Sequence, residues 1–323
     1  MKKLALFLSI VMMMSTCLVG CSSDKNVEKE PEYPTKPIEL VIPWTAGGGT
    51  DVAGRLFATY LEKYLGTTIN VSNVTGGTGS VGSAQVASAK ADGYTLLLTT
   101  FDFVTADVQQ IAGFTIDDFD AIGSFSIQPT VYVVLASKYP TAEDYIAYAK
   151  ENPGKATVSN NGDGGVWHQA AAMANDAMGI ETTHVPYNGS GDQLPALLGG
   201  HTDAAVISYN TVADYLISGE LVCIGTMTED RIEAIPDCKT FKEQGYDVVY
   251  NSFRGIVAPK GLPENVYETL VKACDDAAND AGWLEAAKKG SIDAWHVSGT
   301  EYSDFLHTTR EQITEIMTAL GLL

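Results

Sequence analysis

The chain has 323 residues, an apolar fraction of 45% and a formal net charge of −20. This length allows one large domain or two of ordinary size. So acidic a protein binds poorly to nucleic acid and to anionic lipid surfaces, and we expect neither among its partners.

The first 20 residues have the layout of a secretory signal. Lys2 and Lys3 precede an apolar run that is too short for a comfortable membrane span, and the small residue Gly20 closes it. The residues that follow, 21–32, are polar and charged, which is typical of a flexible tether. We therefore predict a lipoprotein signal peptide over residues 1–20 and a tether over residues 21–32.

The end of the apolar run predicts a lipid anchor. Leu18-Val19-Gly20-Cys21 resembles the lipobox at which bacterial lipoproteins are cleaved and acylated on the cysteine. We expect Cys21 to carry the lipid. The alternative is an ordinary cleaved signal that happens to contain Cys17 and Cys21.

The stretch from Ile38 to Tyr64 predicts a buried strand, a glycine loop and an amphipathic helix in direct succession. Unpaired N–H groups and about half a positive charge at a helix N-terminus favour an anion there without any Lys or Arg. The alternative is a tight turn that binds nothing. The ligand contacts expected in this first loop are Trp44, Thr45, Ala46, Gly47, Gly48, Gly49, Thr50 and Asp51, with Asp51 folding back to cap its own helix.

Strands then alternate with helices, which is typical of the α/β class. Further strands are predicted at 68–74, 94–100, 120–126, 130–136, 156–159, 183–187, 204–208, 221–227 and 248–258, and helices at 83–89 and from Thr141. A helix is predicted to begin after Pro263, and a final amphipathic helix has one face that includes Phe305 and Leu320.

One glycine loop leaves an enzyme open as an alternative. Gly77-Thr78-Gly79-Ser80-Val81-Gly82 fits G-x-G-x-x-G between a strand and a helix, and Asp102 follows about twenty residues later, as in a dinucleotide-binding fingerprint. We favour a structural or ligand-contacting loop, because a secreted chain meets few dinucleotides and the unit is not the first strand. The chain has no G-x-S-x-G, H-E-x-x-H or P-loop signature, so we expect no catalytic residue and no cofactor.

A second glycine loop repeats the pattern of the first. In the stretch 157–173, a strand leads through glycines into a helix that begins near Val166 or Trp167. Two such anion sites predict two lobes that face each other across a cleft. Asp163 repels a carboxylate but could accept a hydrogen bond from an amino or hydroxyl group. The expected contacts of this second loop are Gly162, Asp163, Gly164, Gly165, Val166, Trp167 and His168.

Cysteine and histidine spacing excludes the common metal sites. The five histidines never fall at metal-ligand spacing, and no pair of cysteines is spaced as Cys-x-x-Cys, so we expect no metal. Cys274 shares an apolar stripe and is expected to be a buried small hydrophobe. Cys223 and Cys238 could pair, but the sequence does not fix their geometry.

Three motifs follow one another between His184 and Asn210. They are Val185-Pro186-Tyr187-Asn188-Gly189, a helix closing in Leu197-Leu198-Gly199-Gly200, and a strand opening with Asp203. Their order resembles the Bug-type extracytoplasmic solute receptors of the tripartite tricarboxylate transporter family. Further marks of the resemblance are Pro43, Gly47 or Gly48 with Asp51, the loop Gly162, Gly164 and His168, and the segment 258–263.

This resemblance implies a two-lobed, type II periplasmic-binding-protein fold, in which each lobe is a mixed sheet flanked by helices and the ligand cleft lies between the lobes. Lobe one takes residues 33–126 and 253–323, and lobe two takes residues 127–252. In the family the two glycine loops hold a small carboxylate through N–H groups, hydroxyls and bridging waters. The matching contacts here extend to Tyr209 and Asn210.

The chain departs from the family's usual sequence in the second loop. Gly165, Val166 and Trp167 stand where a Ser or Thr often precedes the histidine, and Asn188 stands where Lys is frequent. The change removes hydroxyl donors and adds a large ring, which favours a ligand with an apolar or aromatic body, or a smaller one.

The resemblance implies a lipid-anchored, monomeric solute receptor on the outer face of the cell membrane or in the periplasm. It would capture a small organic acid and deliver it to the large and small integral membrane subunits of its transporter, without catalysis. The alternatives are a secreted α/β enzyme that uses the Gly77–Gly82 loop for a nucleotide cofactor, and a surface sensor that binds the same ligand and signals to a kinase.

Overall fold

The computed structural model describes residues 33–319 and 321–323. The predicted signal peptide, Cys21 and the tether lie outside the described residues, as does Leu320. The described residues form two β-sheets with helices packed against them. The predicted α/β class with two mixed sheets is therefore confirmed.

The first sheet contains six strands in the order β11-β4-β10-β3-β1-β2. β1, β2 and β3 are parallel, whereas β10 runs antiparallel to both of its neighbours, β3 and β4. Buried aliphatic runs such as that of β3 suit the centre of such a sheet. The strands are β1 (Ile38–Ile42), β2 (Ile69–Asn73), β3 (Thr95–Thr100), β4 (Phe119–Gln128), β10 (Ser252–Pro259) and β11 (Asp293–Ala294).

The second sheet contains five strands in the order β7-β6-β8-β5-β9. β6 is parallel to β7 and β8, and β5 is antiparallel to β8 and β9. The strands are β5 (Thr130–Leu135), β6 (Thr157–Asn160), β7 (Thr183–Pro186), β8 (Ala204–Ser208) and β9 (Leu221–Thr226). Only Pro129 separates β4 of the first sheet from β5 of the second, so the chain crosses between sheets there and returns between β9 and β10.

Most helices follow a strand directly, as expected of α/β units. They are α1 (Gly49–Leu65), α2 (Ser80–Ala87), α3 (Phe101–Val108), α4 (Ala142–Glu151), α5 (Val166–Met178), α6 (Ser190–Leu198), α7 (Tyr209–Ile217), α8 (Glu264–Ala278), α9 (Ala281–Lys289) and α10 (Gly299–Ala319). No helix among the described residues is long and apolar enough to cross a membrane.

The predicted strands are present, with one difference in extent. Residues 248–251 precede β10 rather than forming its start: the backbone N–H of Tyr250 donates to Met227 O, and the Asn251 side chain accepts from Thr130 N. This segment is therefore tied to the second sheet while β10 belongs to the first. The lobe limits at residues 126 and 253 stay a prediction.

The cysteines that the sequence left open are assigned by the fold. Cys223 and Cys238 form a disulfide across a separation of 15 residues. Cys274 is free and fully buried in the apolar core of the first sheet, which confirms the expectation for that residue.

Candidate functional site

A small cavity lies between the two sheets, where four helices begin. The N-cap residues of these helices are Gly48 for α1, Thr100 for α3, Gly165 for α5 and Gly189 for α6, and none of them makes a side-chain cap hydrogen bond. Positive helix ends therefore converge on one place, and at α1 the N–H groups of Gly49 and Thr50 have no acceptor among the described residues. The arrangement favours a negatively charged group in the cavity.

The cavity encloses about 20 Å³, enough for about one water molecule. Its wall is formed by Trp44, Gly48, Gly49, Thr50, Thr100, Asp102, Gln128, Asn161, Trp167, Gly189 and Ser190. Because this volume is smaller than a small organic acid, the two sheets must separate for such a ligand to enter, and the lining side chains must move aside for it to stay when they close.

The wall combines aromatic surface with hydrogen-bonding groups. Trp44 and Trp167 are 6% and 4% exposed and supply the apolar part. Hydroxyls and side-chain amides supply the polar part, in the mixture that small-molecule sites commonly use. Among these lining residues, Asp102 carries the one charged side chain.

The first glycine loop is held in place by Asp51. Its carboxylate accepts from Gly47 N at 2.9 Å, Arg55 Nε at 2.9 Å and Asn73 Nδ2 at 2.8 Å. Burial by itself raises the pKa of Asp51, but these hydrogen bonds outweigh burial and lower it. Asp51 therefore holds the loop through Gly47 and does not cap α1, so that prediction is wrong. No described residue accepts from the backbone N–H of Gly49 or Thr50.

The start of α1 lies against the start of α6. A Cβ atom on Gly48 would lie 2.9 Å from Gly191 N, and one on Gly191 would lie 2.7 Å from Ala46 O. The Thr45 hydroxyl is also buried at this contact, without a partner among the described residues. The contact needs glycine on both sides, so the first loop meets the Gly189–Gly191 turn directly.

The N–H groups of the second glycine loop donate to acceptors within the protein. Asn160 Oδ1 accepts from Gly162 N, His168 Nδ1 from Gly164 N, and Asn161 Oδ1 from Trp167 N, at 2.8 to 2.9 Å. At the start of α5, the N–H of Val166 donates to Asp102 Oδ1 at 2.7 Å. A carboxylate of the protein itself thus occupies the N-terminus of α5.

His168 is an acceptor at Nδ1, so its ring is neutral with the proton on Nε2. Burial lowers its pKa. The neighbouring His184 has its pKa lowered to about 4 by burial and by the nearby His168. The pair therefore supplies no positive charge near the loop at neutral pH.

Tyr209 and Asn210 begin α7 beside the cavity. Asn210 Nδ2 donates to Gly49 O at 3.2 Å, and Asn210 Oδ1 accepts from Arg254 Nη2 at 3.1 Å. Arg254 is 1% exposed, and burial lowers its pKa to about 9. Its guanidinium is linked to the lining residue Gly49 through Asn210.

Some of the predicted ligand contacts line the cavity. Five predicted residues line it directly: Trp44, Gly48, Gly49, Thr50 and Trp167. Ala46, Gly47 and Asp163 are exposed and Thr45 half-buried. The other predicted contacts are not among the lining residues: Asp51, Gly162, Gly164, Gly165, Val166, His168, Tyr209 and Asn210.

Six lining residues lay outside the expected contacts: Thr100, Asp102, Gln128, Asn161, Gly189 and Ser190. Gly189 and Ser190 carry the signal used for the first loop, a glycine directly before a helix. Thr100 and Asp102 follow the buried strand β3, and the carboxyl ends of such strands commonly carry ligand sites. Asn161 directly follows β6 and precedes Gly162, so it carries both of these signals, whereas Gln128 carries no local signal.

The Gly77–Gly82 loop packs beside this site. A Cβ on Gly79 would lie 3.3 Å from the Trp44 ring, and one on Gly82 would lie 2.6 Å from Val74 O. Thr78 lies against Gly162 of the second loop. The glycines thus allow close packing behind Trp44. Within the described part of the chain, no group of three or more His, Cys, Asp or Glu is placed to hold a metal.

Comparison with known proteins gives a consistent family. Residues 53–322 match the profile of the tripartite tricarboxylate transporter family receptor. The "UPF0065 protein in gbd 5'region" of Cupriavidus necator is 30% identical over 310 residues, covering 95% of this chain and 94% of that protein.

Two solved structures show the same architecture. The periplasmic binding protein BugD superposes with a TM-score of 0.85 at 27% identity, covering 90% of this chain and 99% of its own. R. palustris Rpa4515, solved with adipate, superposes with a TM-score of 0.85 at 23% identity, covering 90% and 99%. The predicted two-lobed periplasmic-binding-protein fold is confirmed.

Proposed function

Because this chain belongs to the tripartite tricarboxylate transporter family of receptors, we propose that it captures a small organic acid in the cavity between its two sheets. The observation that carries the proposal is the convergence of the N-termini of α1 and α6 on the cavity. Gly49, Thr50 and Ser190 would present N–H and hydroxyl donors to a ligand carboxylate. That one solved relative holds adipate supports the same ligand class.

Closure of the cleft would be the whole mechanism. The ligand would bind while the sheets are apart, and the glycine contacts between α1 and α6 would form as they approach. In this proposal the first loop belongs to lobe one and the second loop to lobe two, with the predicted lobe limits, and the two loops form the two sides of the cleft. We propose no catalytic step, since the Gly77–Gly82 loop is used for packing.

We further propose that the receptor is extracytoplasmic, is anchored through Cys21 and delivers its ligand to the integral membrane subunits of a transporter. The disulfide between Cys223 and Cys238 is compatible with an oxidising compartment. Mass spectrometry of the membrane fraction should find a lipid on Cys21. Cys21→Ser should release the protein from membranes, whereas Cys17→Ser should not.

A thermal-shift screen tests ligand capture. The purified protein is heated with dicarboxylates, tricarboxylates, aromatic acids, amino acids and nicotinamide dinucleotides. An acid present at a hundred times its dissociation constant should stabilise the fold by about 2.7 kcal/mol. A rise in melting temperature with a dinucleotide alone would replace this proposal with the enzyme alternative.

Uptake assays distinguish transport from sensing. Cells that carry the integral subunits should accumulate the radiolabelled acid only when the receptor is present. If the receptor binds the acid but uptake does not depend on it, the sensor alternative replaces delivery.

A further inference from the structure

Asp102 is a buried carboxylate on the wall of the proposed ligand cavity. It is 3% exposed and lies in the first turn of α3, directly after β3 of the first sheet. Its partners Asn161 and Val166 belong to the loop and helix that follow β6 of the second sheet. The side chain therefore bridges the two sides of the cleft.

The two carboxylate oxygens of Asp102 differ in their surroundings. Oδ1 accepts from Asn161 Nδ2 at 2.8 Å and from Val166 N at 2.7 Å, so it is fully engaged. Oδ2 accepts at 3.3 Å from the Thr100 hydroxyl, which itself lines the cavity. A carboxylate oxygen accepts more than one hydrogen bond, so Oδ2 retains acceptor capacity for a donor in the cavity.

Among the described residues, the negative charge of Asp102 has no cationic partner. Its neighbours are an amide, a backbone N–H and a hydroxyl, and no Lys, Arg or His belongs to the lining of the cavity as described. Burial raises the pKa of Asp102 to about 6, because the hydrogen bonds only partly compensate for lost hydration. The carboxyl is therefore mostly ionised at neutral pH.

This arrangement divides the cavity into two unlike ends. The N-termini of α1 and α6 favour a carboxylate, whereas the N-terminus of α5 is already occupied by Asp102. A second ligand carboxylate near Asp102 would meet a like charge in a poorly hydrated place. A ligand ammonium there would meet an opposite charge and an open acceptor.

We propose that the receptor selects a small zwitterion, whose carboxylate lies at the starts of α1 and α6 and whose ammonium donates to Oδ2 of Asp102. The inference rests on the proposed capture of a carboxylate and adds the second group that the ligand must carry. Asp102 is then the residue that distinguishes an amino acid from a simple or dicarboxylic acid. The net charge of −20 also disfavours the approach of a dianion relative to a zwitterion.

The test is calorimetric titration with matched acids. The probes are β-alanine with propionate and 4-aminobutyrate with butyrate, together with alanine, succinate and adipate. One charge-assisted hydrogen bond corresponds to roughly a 10- to 100-fold preference for an amino acid over its deaminated partner. This preference is measured on the wild-type protein and does not depend on any variant folding.

Asp102→Asn should bring the preference close to one, since the amide keeps the shape but loses the charge. Asp176→Asn is the matched control, because it removes a carboxylate from an exposed position outside the cavity wall. It should leave the preference unchanged.

Three outcomes would overturn the inference. If the wild-type protein prefers a deaminated or dicarboxylic acid, the proposed selection of a zwitterion is wrong. If the preference for an amino acid persists in Asp102→Asn, the proposed role of Asp102 is wrong. Either result leaves the carboxylate receptor intact. If none of the acids in the calorimetric and thermal-shift panels binds, the proposed function itself is wrong and the inference falls with it.

Discussion

Gly49 offers a direct test of closure between the two sheets. A methyl group on Gly49 would lie 2.6 Å from each of three oxygens of the opposite side, those of the Ser208, Asn210 and Thr211 side chains. Its φ lies outside the left-handed range, so alanine suits the backbone. Gly49→Ala therefore obstructs closure while leaving the first sheet undisturbed.

The opposing side chains cannot easily move aside. Asn210 accepts from the buried Arg254, and the Ser208 and Thr211 hydroxyls bond to each other at 2.9 Å. Overpacking of this kind costs about 1 to 3 kcal/mol. If the cost falls on the closed form alone, the dissociation constant of the ligand rises roughly 5- to 160-fold.

Calorimetric titration of Gly49→Ala with the acid that stabilises the wild-type protein measures this change. Gly290→Ala is the matched control, since it adds a methyl at a helix end whose nearest contact, Ile292, lies at 3.3 Å. The control should bind as the wild type does. Unchanged affinity in a folded Gly49→Ala protein would refute closure at this contact.

Two further predictions concern stability. Because the folded pKa of Asp102, about 6, lies above its ordinary 3.8, this carboxyl stabilises the fold most below about pH 4 and the contribution is lost as the pH rises through 6. Between pH 4 and 7 the unfolding free energy of the wild type should therefore fall by on the order of 3 kcal/mol relative to Asp102→Asn in urea titrations. His168 and His184 oppose this trend, since their lowered pKa values remove stability as the pH falls. Wild type and Asp102→Asn both contain these histidines, so their effect cancels in the comparison. Equal pH profiles for the two proteins would contradict the burial of the Asp102 charge. Replacing Cys223 and Cys238 together with serine should lower the unfolding free energy by about 3 kcal/mol, measured in urea, and no loss would mean that the bond does not form in solution.

Hydrophobic periodicity and glycine placement predicted the α/β class and most strands and helices, whereas the periplasmic-binding-protein fold was implied by the family resemblance. The run before Pro43 and the stripe after Gly49 each carry a clear period, so β1 and α1 follow from local sequence. α3, α7, α9 and the two-residue strand β11 were not predicted. α3 is buried along most of its length, so it lacks an amphipathic stripe, and α9 is short.

The candidate site was less accessible to sequence reasoning, because its wall is formed by distant residues. The sequence pairs two similar glycine loops, yet the tight glycine contact of Gly48 is with Gly191 rather than with Gly164. Gly164 instead lies against Gln109. Which loops come into contact depends on how the two sheets approach each other, and no local sequence pattern predicts that approach.

The same limit explains why the sequence pointed to Asp163, whereas the structure places Asp102 on the cavity wall. Asp163 stands in the glycine loop, where local reasoning places a ligand-facing carboxylate, but it is exposed. Asp102 is 59 residues from Asn161 and 64 from Val166 along the chain, and it reaches them only because the two sheets meet.

The position of Asp102 also couples ligand charge to closure. When the sheets approach, its carboxylate leaves water and gains hydrogen bonds from Asn161 and Val166. Its pKa nevertheless stays above the ordinary value, so these bonds do not offset the lost hydration. Closure without a cationic group is therefore opposed at this residue, and a ligand ammonium beside Oδ2 removes the opposition. A receptor built in this way closes most readily on the ligand whose charges match both ends of its cavity.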